Sequence, residues 1–482
     1  MRMTPASSLA ALLVAAPLAA AAQSAPAPAG VQPAPPVNGM QTPSITPTPQ
    51  TAQSYSLPVL KGLAPVTVLG NSYEGKAALG ANYTVTGGVQ TGTVRQPTLL
   101  PFAEQQAQAL RDAFITDGDL AQLADGLGTT LGAAYRARAH YIDRSTFTNV
   151  SPAVADLIAY ANAVTGTDSN AGKYLFANGT TDGRKPASDE ALQILKDLGG
   201  TADVFGKAYN KAAGTPGADA FGDSRPFQTE PAVVQIVSRD YFGVPTDNSV
   251  YNRGPISDLQ NSPSYPSGHT TYGYMGSLVL AVLVPERYKE MIARGAEYGN
   301  DRILMGAHYA MDVLGGRTLA TYDLAHLLAN DPAYLGRTYK NAPMLTDFQA
   351  AVTAARGDVT KALEAACGKA VAACAREDTG RFSDPALNEA FYAATQTYGL
   401  PVVYPKAAAA RPDVGTLAPE AGHLLTAAFP TLTLAQANAI LTDTLGPGGG
   451  FLDDGSNFGV YSRLNLYAAG AKAAAAVAGT GK

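Results

Sequence analysis

The stretch of sequence that decides the fold begins with Tyr265-Pro266-Ser267-Gly268-His269-Thr270-Thr271 and ends with Asn300-Asp301-Arg302-Ile303-Leu304-Met305-Gly306-Ala307-His308-Tyr309-Ala310-Met311-Asp312. An apolar run with helical spacing joins the two motifs. Two of the five histidines in the chain lie in this stretch. Further upstream, Asp223-Ser224-Arg225-Pro226-Phe227 places another arginine directly before a proline. Residues suited to chemistry are therefore concentrated in this part of the chain.

These residue types indicate a site for a tetrahedral oxyanion. Pro266 ends a loop, and Ser267-Gly268 leads into a helix whose first N–H groups have no intrahelical partner and can face an anion. Arg225 and Arg302 supply planar, permanently charged forks that match a phosphate better than a lysine does. A serine at this position is also a favoured helix cap, and the two roles are compatible.

The two histidines of the stretch suggest how a bound phosphate would react. Asp312 follows His308 by four residues, so on a helix both side chains share one face and the carboxylate can fix the imidazole tautomer. His308 is then a candidate nucleophile, and His269 beside the turn is a candidate general acid. A purely structural His–Asp pair is the alternative if this spacing is considered alone.

Three motifs occur in a fixed order: Arg225-Pro226, then Pro266-Ser267-Gly268-His269, then Arg302-x5-His308-x3-Asp312. Together they resemble the signature of the type 2 phosphatidic acid phosphatase superfamily, over roughly residues 200–320. That superfamily includes bacterial class A acid phosphatases, membrane lipid phosphatases and vanadium haloperoxidases. The resemblance implies an all-α fold, a helical bundle of the acid phosphatase and vanadium haloperoxidase type.

The resemblance also implies a role for each matching residue. It implies a metal-free phosphatase without a cofactor, in which His308 carries the phosphoryl group as a phosphohistidine. His269 would protonate the leaving group. The phosphoryl oxygens would be held by the matching phosphate-binding residues Arg225, Ser267, Gly268 and Arg302.

The chain departs from the family pattern at two positions. Asp301 stands where the family has a serine, which places an acidic residue near the expected anion site. Ala218 stands where the family has a lysine, seven residues before the first arginine. The nearest upstream lysines are Lys211 and Lys207, and Gly214-Thr215-Pro216-Gly217 resembles an inserted loop. We predict Lys211 as the phosphate-binding lysine, with a place on a solvated helix face as the alternative.

The N-terminal residues indicate export. Residues 1–22 have the pattern of a secretory signal peptide, with Arg2 at a positive start and small residues after a short apolar core. Residues 23–52 are rich in Pro, Ala, Thr and Gln and predict an extended linker. We therefore expect a periplasmic or secreted protein. A membrane anchor is the weaker alternative, because Gln23-Ser24 follows the apolar core at once.

Composition limits the partners of the chain. The net charge is −5 and no basic run is present, which argues against nucleic acid or an anionic membrane as a partner. No stretch reaches the ~18 consecutive apolar residues of a membrane span, so a soluble protein is expected, unlike the lipid phosphatases. The expected partner is a small phosphorylated substrate, and a homo-oligomer stays an open alternative.

The chain is predicted to divide into a catalytic domain over residues 53–340 and a helical C-terminal extension over residues 341–482. Residues 55–98 are interrupted by glycines and polar residues, which predicts irregular or short extended structure. Elsewhere, apolar residues at three- and four-residue intervals predict helices. The predicted helices cover residues 104–116, 119–135, 152–165, 189–213, 231–238, 269–283, 285–300, 308–330, 346–366, 384–397, 434–444 and 463–478.

The extension contains the only two cysteines, Cys367 and Cys374. On an unbroken helix they would lie about 10 Å apart, too far to bond, but Gly368 can break the helix, so we predict a disulfide. The extension is open to three interpretations, a substrate lid, an oligomer contact or a packing cap, of which packing is favoured. The Asp453-Asp454 cluster lacks EF-hand spacing, and no metal site is predicted.

The sequence thus predicts an exported acid phosphatase that hydrolyses phosphate monoesters through a phosphohistidine on His308. One alternative is a vanadate-dependent haloperoxidase, in which the same pocket would hold vanadate as the cofactor. The absence of tryptophan from the chain favours the phosphatase. The other alternative is a non-catalytic envelope protein that binds an anion, which Asp301 and the displaced lysine keep open.

Overall fold

A computed structural model describes residues 37–38, 56–94, 100–114, 118–143, 146–230, 233–340, 342–378 and 380–480. The predicted signal peptide over residues 1–22 lies outside the described residues. The predicted linker over residues 23–52 also lies outside them, apart from residues 37–38, which form a short strand.

Helices dominate the described part of the chain, which confirms the all-α prediction. In chain order they are α1 (Leu57–Leu63), α2 (Tyr73–Thr91), α3 (Phe102–Asp112), α4 (Thr129–Arg136), α5 (Pro152–Asn178), α6 (Asp189–Leu198), α7 (Val204–Ala208), α8 (Pro226–Thr229), α9 (Asn248–Asn252), α10 (Gly268–Leu283), α11 (Tyr288–Leu304), α12 (Ala310–Leu328), α13 (Phe348–Cys367), α14 (Val371–Glu377), α15 (Pro385–Thr397), α16 (Pro405–Ala409), α17 (Val414–Leu417), α18 (His423–Thr426), α19 (Leu434–Asp443) and α20 (Leu466–Thr480). Short 3-10 helices cover Ala64–Asn71, Ala124–Leu127, Pro285–Arg287, Pro419–Gly422 and Gly459–Arg463.

The described strands form two small antiparallel ribbons. Strand β1 (Val37–Asn38) pairs with β2 (Thr146–Phe147), and β3 (Val237–Arg239) pairs with β4 (Pro245–Asp247). The helix predicted over residues 231–238 is therefore wrong over residues 233–238, the part of it that the structure describes. Asp240 explains the difference, because its carboxylate accepts hydrogen bonds from the N–H groups of Phe242 and Val244 and closes a hairpin turn.

Helices α10 and α11 form the centre of the bundle. Every residue of α10 is buried, and α10 packs against α5, α11 and α12. The two central helices approach closely at Gly273, where an added Cβ would lie 2.0 Å from the ring of Tyr298. A helix buried on all sides belongs to the core of the protein, so the motif residues at the ends of these helices are also enclosed. Among the described residues, no helix has both the length and the hydropathy that crossing a bilayer requires.

The prediction of irregular structure for residues 55–98 is wrong over most of its length. Residues 57–91 form α1, a 3-10 helix and α2. Ser72 begins α2 by accepting a hydrogen bond from the N–H group of Gly75. A Cβ at Gly75 would lie 2.1 Å from the carbonyl oxygen of Leu69. Glycine is therefore required here by close backbone packing, which propensity reasoning interprets as a break in a helix.

Two helices differ from their predicted lengths in ways that bear on the site. Helix α5 continues to Asn178, where Gly179 ends it with a φ of 74°. The predicted helix over residues 189–213 divides into α6 and α7, because Gly199 ends α6 with a φ of 63°. The extra turns of α5 include Lys173, a lysine that is only 5% exposed.

The C-terminal extension packs against the bundle. Helix α13 contacts α5 and α10, and helices α15 and α20 contact α11. Gly368 ends α13 with a φ of 72°, which brings Cys367 and Cys374 together in a disulfide with a Cα–Cα distance of 6.4 Å. The predicted disulfide is confirmed. Phe451 of the extension contacts Tyr265, with 6.3 Å between the ring centroids, so the extension reaches the residues that precede the proline-serine-glycine turn.

Candidate active site

The motif residues meet in the interior of the bundle. Arg225 begins α8, Ser267 begins α10, and His308 lies in the turn between α11 and α12. The ring centroids of His269 and His308 are 6.2 Å apart. Six side chains of the predicted site are at most 5% exposed, namely Arg225, Ser267, His269, Arg302, His308 and Asp312. Lys211 is the exception and is partly exposed.

The serine-glycine turn has the geometry that the sequence predicts. The Ser267 hydroxyl accepts a hydrogen bond from the N–H group of Thr270 at 3.1 Å and so caps α10. The N–H group of Ser267 donates to the carbonyl oxygen of Asp312 at 3.1 Å, which ties the turn to α12. A Cβ at Gly268 would lie 3.4 Å from Cε of Lys173, so this turn and α5 lie against each other.

His308 and Asp312 form a pair, although not along one helix. His308 Nδ1 lies 3.2 Å from Oδ2 of Asp312. Helix α12 begins only at Ala310, so the prediction that both residues share a helix face is wrong. The carboxylate instead reaches back to the helix start, where it accepts a hydrogen bond from the N–H group of Tyr309 at 2.8 Å. The capping interaction places the carboxylate beside the imidazole.

Arg225 engages the other nitrogen of the same ring. Its NH1 group donates to Nε2 of His308 at 3.0 Å. An arginine has no acceptor atom, so Nε2 must be the unprotonated nitrogen and Nδ1 must carry the proton toward Asp312. The guanidinium makes further hydrogen bonds, to backbone oxygens of Ser262, Pro263 and Ala307 and to the Ser262 hydroxyl.

The environment keeps His308 neutral. Burial lowers the pKa of His308 well below 6.5, and the neighbouring charges of Arg225 and Lys173 lower it further. Burial also lowers the pKa of His269 well below 6.5, and the nearby cations Arg302, Arg225 and Lys173 act in the same direction. The positive charge around both rings is what a phosphate dianion would neutralise.

Arg302 has donor capacity that the protein leaves unused. Its NH2 group donates to the carbonyl oxygen of Ala109 at 3.1 Å, and its guanidinium carbon lies 4.7 Å from the ring centroid of Tyr298. Its Nε is buried without a hydrogen-bond partner in the described part of the chain. A buried arginine with a free donor is suited to accept an anionic ligand.

Asp301 contacts a different group of charges. Its carboxyl is hydrogen-bonded to Asp112, which forms an ion pair with Arg294 at 2.7 Å. Burial, followed by repulsion from Asp112 and Glu297, raises the pKa of Asp301 well above 3.8. The neutral form of Asp301 is therefore favoured, which reduces the negative charge next to Arg302.

The structure does not bring Lys211 to these residues. Lys211 is partly exposed, and its carbonyl oxygen accepts a hydrogen bond from the Ser224 hydroxyl. Its ammonium lies beside the inserted loop, 3.9 Å from where a Cβ of Gly217 would be. Lys173 instead lies within the site, with its Nζ donating to the carbonyl oxygen of Pro263 at 2.8 Å.

Sequence reasoning missed three further residues of this pocket. Lys173 is the one basic residue of α5, and that was the available signal. Ser264 donates a hydrogen bond to Oδ2 of Asp312. Asp219 acts electrostatically on Arg225 and Lys173, and burial raises its pKa to about 7. Neither Ser264 nor Asp219 has a sequence pattern that marks it out.

Comparison with known proteins agrees with this geometry. Residues 212–331 match the family model described as the PAP2 superfamily. The family resemblance drawn from the motifs is thereby confirmed, and the matched segment includes every predicted site residue except Lys211. Lys173 also lies outside it.

Bacterial acid phosphatases are similar to parts of the chain. Over 69 residues the chain is 45% identical to a non-specific acid phosphatase of Salmonella typhimurium, which covers 14% of this chain and 28% of that protein. Over 84 residues it is 38% identical to an acid phosphatase of Zymomonas mobilis, which covers 17% of this chain and 32% of that protein. Over 162 residues it is 28% identical to a non-specific acid phosphatase of Providencia stuartii, which covers 31% of this chain and 62% of that protein. The chain thus spans less than two thirds of the length of each of these relatives.

Proposed function

We propose that this protein is an exported acid phosphatase that hydrolyses phosphate monoesters through a phosphohistidine on His308. The observation that supports this most is the state of the His308 ring. It is buried and neutral, its Nδ1 is paired with Asp312, and its Nε2 faces the guanidinium of Arg225. An uncharged nitrogen lone pair beside a fixed cation is what attack on a phosphate requires.

In this proposal the substrate enters as a phosphate dianion. Its oxygens are held by Arg225, Arg302 and the turn formed by Ser267 and Gly268. The buried Nε of Arg302 has no competing acceptor among the described residues. The NH1 group of Arg225 exchanges Nε2 of His308 for a phosphoryl oxygen, and the same movement frees the nucleophile. Binding and activation of the nucleophile are therefore one event.

The chemical step follows from the two histidines. Nε2 of His308 attacks phosphorus, the N–P bond forms, and the bond from phosphorus to the leaving oxygen breaks. His269 transfers its proton to that oxygen, and an alcohol leaves. A water molecule then attacks phosphorus, His269 takes a proton from it, and the N–P bond breaks to release phosphate. Asp312 stabilises the positive charge that the His308 ring acquires, and the arginines stabilise the charge on the phosphoryl oxygens.

The proposed acid must be protonated before the first step. In the site without a ligand the pKa of His269 is well below 6.5, because of burial and the nearby cations Arg302, Arg225 and Lys173. A bound dianion offsets those cations and raises the pKa of His269. Substrate binding therefore favours a protonated His269, and activity is expected to rise as the pH falls, down to the pH at which Asp312 becomes protonated.

We assign the phosphate-binding lysine to Lys173 in place of Lys211. Lys173 is 5% exposed, lies beside Gly268, and acts electrostatically on both histidines. Helix α5 thus supplies the cation that the family places shortly before the first arginine. The mechanism uses no cofactor or metal ion.

The domain boundaries remain part of the proposal. A signal peptide over residues 1–22 and a linker over residues 23–52 precede a catalytic domain over residues 53–340, and residues 341–482 form a packing extension. The contact of Phe451 with Tyr265 is consistent with an extension that packs against the catalytic domain. N-terminal sequencing of protein from the periplasm or the medium tests export, and a retained Met1 would contradict it.

The experiment for the activity uses the purified full chain. Hydrolysis of p-nitrophenyl phosphate is followed from acidic to neutral pH with a chelator present, for the native protein and for His308→Ala. We expect chelator-resistant hydrolysis that vanadate inhibits, and loss of turnover in the variant. Near-native activity of His308→Ala contradicts the mechanism. Bromide oxidation with vanadate and peroxide, in the absence of hydrolysis, assigns the protein to the peroxidases instead, and silence in both assays favours an anion-binding protein.

A further inference from the structure

Ser264 lies at the junction of the proposed nucleophile and its carboxylate. The residue is fully buried, and its N–H group donates to the carbonyl oxygen of Asp223 at 2.9 Å. Its hydroxyl donates to Oδ2 of Asp312 and lies 3.4 Å from Nδ1 of His308. The three side chains form a closed triangle, because Nδ1 of His308 is itself 3.2 Å from the same carboxylate oxygen.

The direction of each hydrogen bond in this triangle can be derived. A serine hydroxyl has one hydrogen, and an ionised carboxylate can only accept, so the hydrogen points to Asp312. The hydroxyl oxygen therefore presents a lone pair to His308. Nδ1 of His308 therefore faces two acceptors, the hydroxyl oxygen of Ser264 and Oδ2 of Asp312, and must carry the proton. The opposite side leads to the same tautomer, because Arg225 can only donate to Nε2.

We propose that Ser264 is a positioning residue that favours the ionised form of Asp312 and holds His308 in the Nδ1–H tautomer, and so sets the acidic limit of the reaction. The inference rests on the proposed phosphatase function. Ser264 does not contact the phosphoryl group in this scheme. It acts on Nε2 through the carboxylate and the far side of the imidazole.

Hydrogen bonding at Asp312 supports this role. Burial raises the pKa of Asp312 to about 7, and the hydrogen bond from Ser264 is the largest influence that lowers it, followed by the N–H group of Tyr309. Oδ1 of Asp312 is buried without a partner in the described residues. Loss of the hydroxyl therefore removes a donor from a carboxylate that has few of them.

The other charged groups around Asp312 do not replace that hydroxyl. His308 before α12 contacts the carboxylate, and the others come from several elements of the bundle and act at longer range: Arg225 before α8, Lys173 on α5, Asp223 in the loop before Arg225, and the tyrosines Tyr209, Tyr265 and Tyr309. Arg225 and Lys173 favour the ionised carboxylate, whereas Asp223 repels it. Ser264 and the Nδ1–H group of His308 are the side-chain groups that contact the carboxylate directly.

The test compares two substitutions at this site with one matched control. Ser264→Ala removes the hydroxyl, and Ser264→Thr retains one. Ser277→Ala removes a buried hydroxyl of α10 that has no hydrogen-bond partner among the described residues, and it serves as the control. The dependence of kcat/KM on pH is measured for all three with p-nitrophenyl phosphate. Thermal melting shows whether each variant is folded.

We expect the acidic limb of the profile to move to higher pH by about one unit in Ser264→Ala. Loss of a hydrogen bond to a charged carboxylate raises the pKa of that carboxylate by about this amount. The loss of activity is then about tenfold greater at acidic pH than at neutral pH. Ser264→Thr and Ser277→Ala are expected to keep the limb of the native protein. A uniform loss at every pH in Ser264→Ala, or the same shift in Ser264→Thr, contradicts the inference.

A second readout does not depend on turnover. The ¹⁵N shifts of the histidine rings in the full chain report the tautomer of His308. We expect the Nδ1–H form in the native protein and a mixture of tautomers in Ser264→Ala. An inactive native protein contradicts the proposed function, whatever the spectra show. An active native protein whose Ser264→Ala variant keeps both the tautomer and the pH profile contradicts only the role of Ser264.

Discussion

The NH1 group of Arg225 donates a hydrogen bond to Nε2 of His308 at 3.0 Å. The group proposed to bind phosphate is therefore already in contact with the atom proposed to attack it. Burial lowers the pKa of Arg225 only to about 10, so the guanidinium stays charged at the pH of the reaction. Before substrate binds, this cation protects the lone pair of His308 from protonation. Once substrate binds, it can move to a phosphoryl oxygen.

The first prediction concerns the shape of this cation. In Arg225→Lys the charge is retained, but a lysine cannot reach Ser262, Ala307 and His308 with one planar group. We expect kcat/KM to fall by at least about a hundredfold, the typical cost of losing one oxyanion donor. Kinetics on p-nitrophenyl phosphate and thermal melting are the measurements. A folded Arg225→Lys variant with near-native kcat/KM would show that charge alone suffices.

The second prediction separates the two lysines. Lys173→Met removes a buried amine beside Gly268, whereas Lys211→Met removes a partly exposed one beside the inserted loop. We expect Lys173→Met to lower kcat/KM by about a hundredfold and to weaken inhibition by vanadate. Lys211→Met is expected to remain within about twofold of the native protein, as is usual for exposed positions. The reverse result would restore Lys211 to the site.

The difference between these lysines shows what spacing along the chain can identify. Arg302, His308 and Asp312 lie in one short segment, and their spacing together with the Arg225-Pro226 and Pro266-Ser267-Gly268-His269 motifs singled them out as candidates. Lys173 comes from α5, and its place beside Gly268 depends on how two helices pack. Ser264 is similar, because its importance comes from a contact with Asp312 and not from a position in a recognised motif. Tertiary packing decides such contacts, and a single sequence does not specify it.

The helices of the fold likewise divide into those that local spacing predicts and those that depend on tertiary packing. Helices α10 and α12 were predicted within a few residues, because their apolar residues recur with helical spacing. Helix α2 was missed, since glycines such as Gly75 suggest a break when they are read locally. In the structure Gly75 allows α2 to contact the carbonyl of Leu69. Local propensity misjudges a glycine whose purpose is a close approach between two segments.

The third prediction concerns Asp301, which replaces the serine of the family. Its raised pKa favours the neutral carboxyl, which is hydrogen-bonded to Asp112, so an asparagine would take its place with the same charge and a similar donor. We expect Asp301→Asn to keep kcat/KM within about threefold of the native value. Asp312→Asn is the same chemical change at the carboxylate that orients His308, and it should lower kcat/KM by at least about a hundredfold. A severe loss in Asp301→Asn would mean that Asp301 is ionised or takes part in the reaction.

The fourth prediction is that this protein is more stable in acid than at neutral pH. Burial raises the pKa of Asp119 to about 8 and that of Asp168 to about 7. A carboxyl with a raised pKa binds a proton in the folded state more tightly than in the unfolded chain. The stability it contributes is fully present below about pH 4 and is lost as the pH rises through the folded pKa, at about 1.4 kcal/mol per pH unit.

Asp119 allows this dependence to be measured in isolation. Its Oδ1 accepts a hydrogen bond from the N–H group of Ala121 at 2.6 Å, and its Oδ2 is buried without a partner among the described residues. Asp119→Asn keeps the acceptor and removes the titration. Denaturant unfolding of the native protein at about pH 5 and about pH 8 should give a lower unfolding free energy at the higher pH, and Asp119→Asn should reduce the difference. Asp197→Asn changes an exposed residue and serves as the control, so it should leave the difference in unfolding free energy between the two pH values unchanged. An equal pH dependence in all three proteins would show that Asp119 is ionised in the fold.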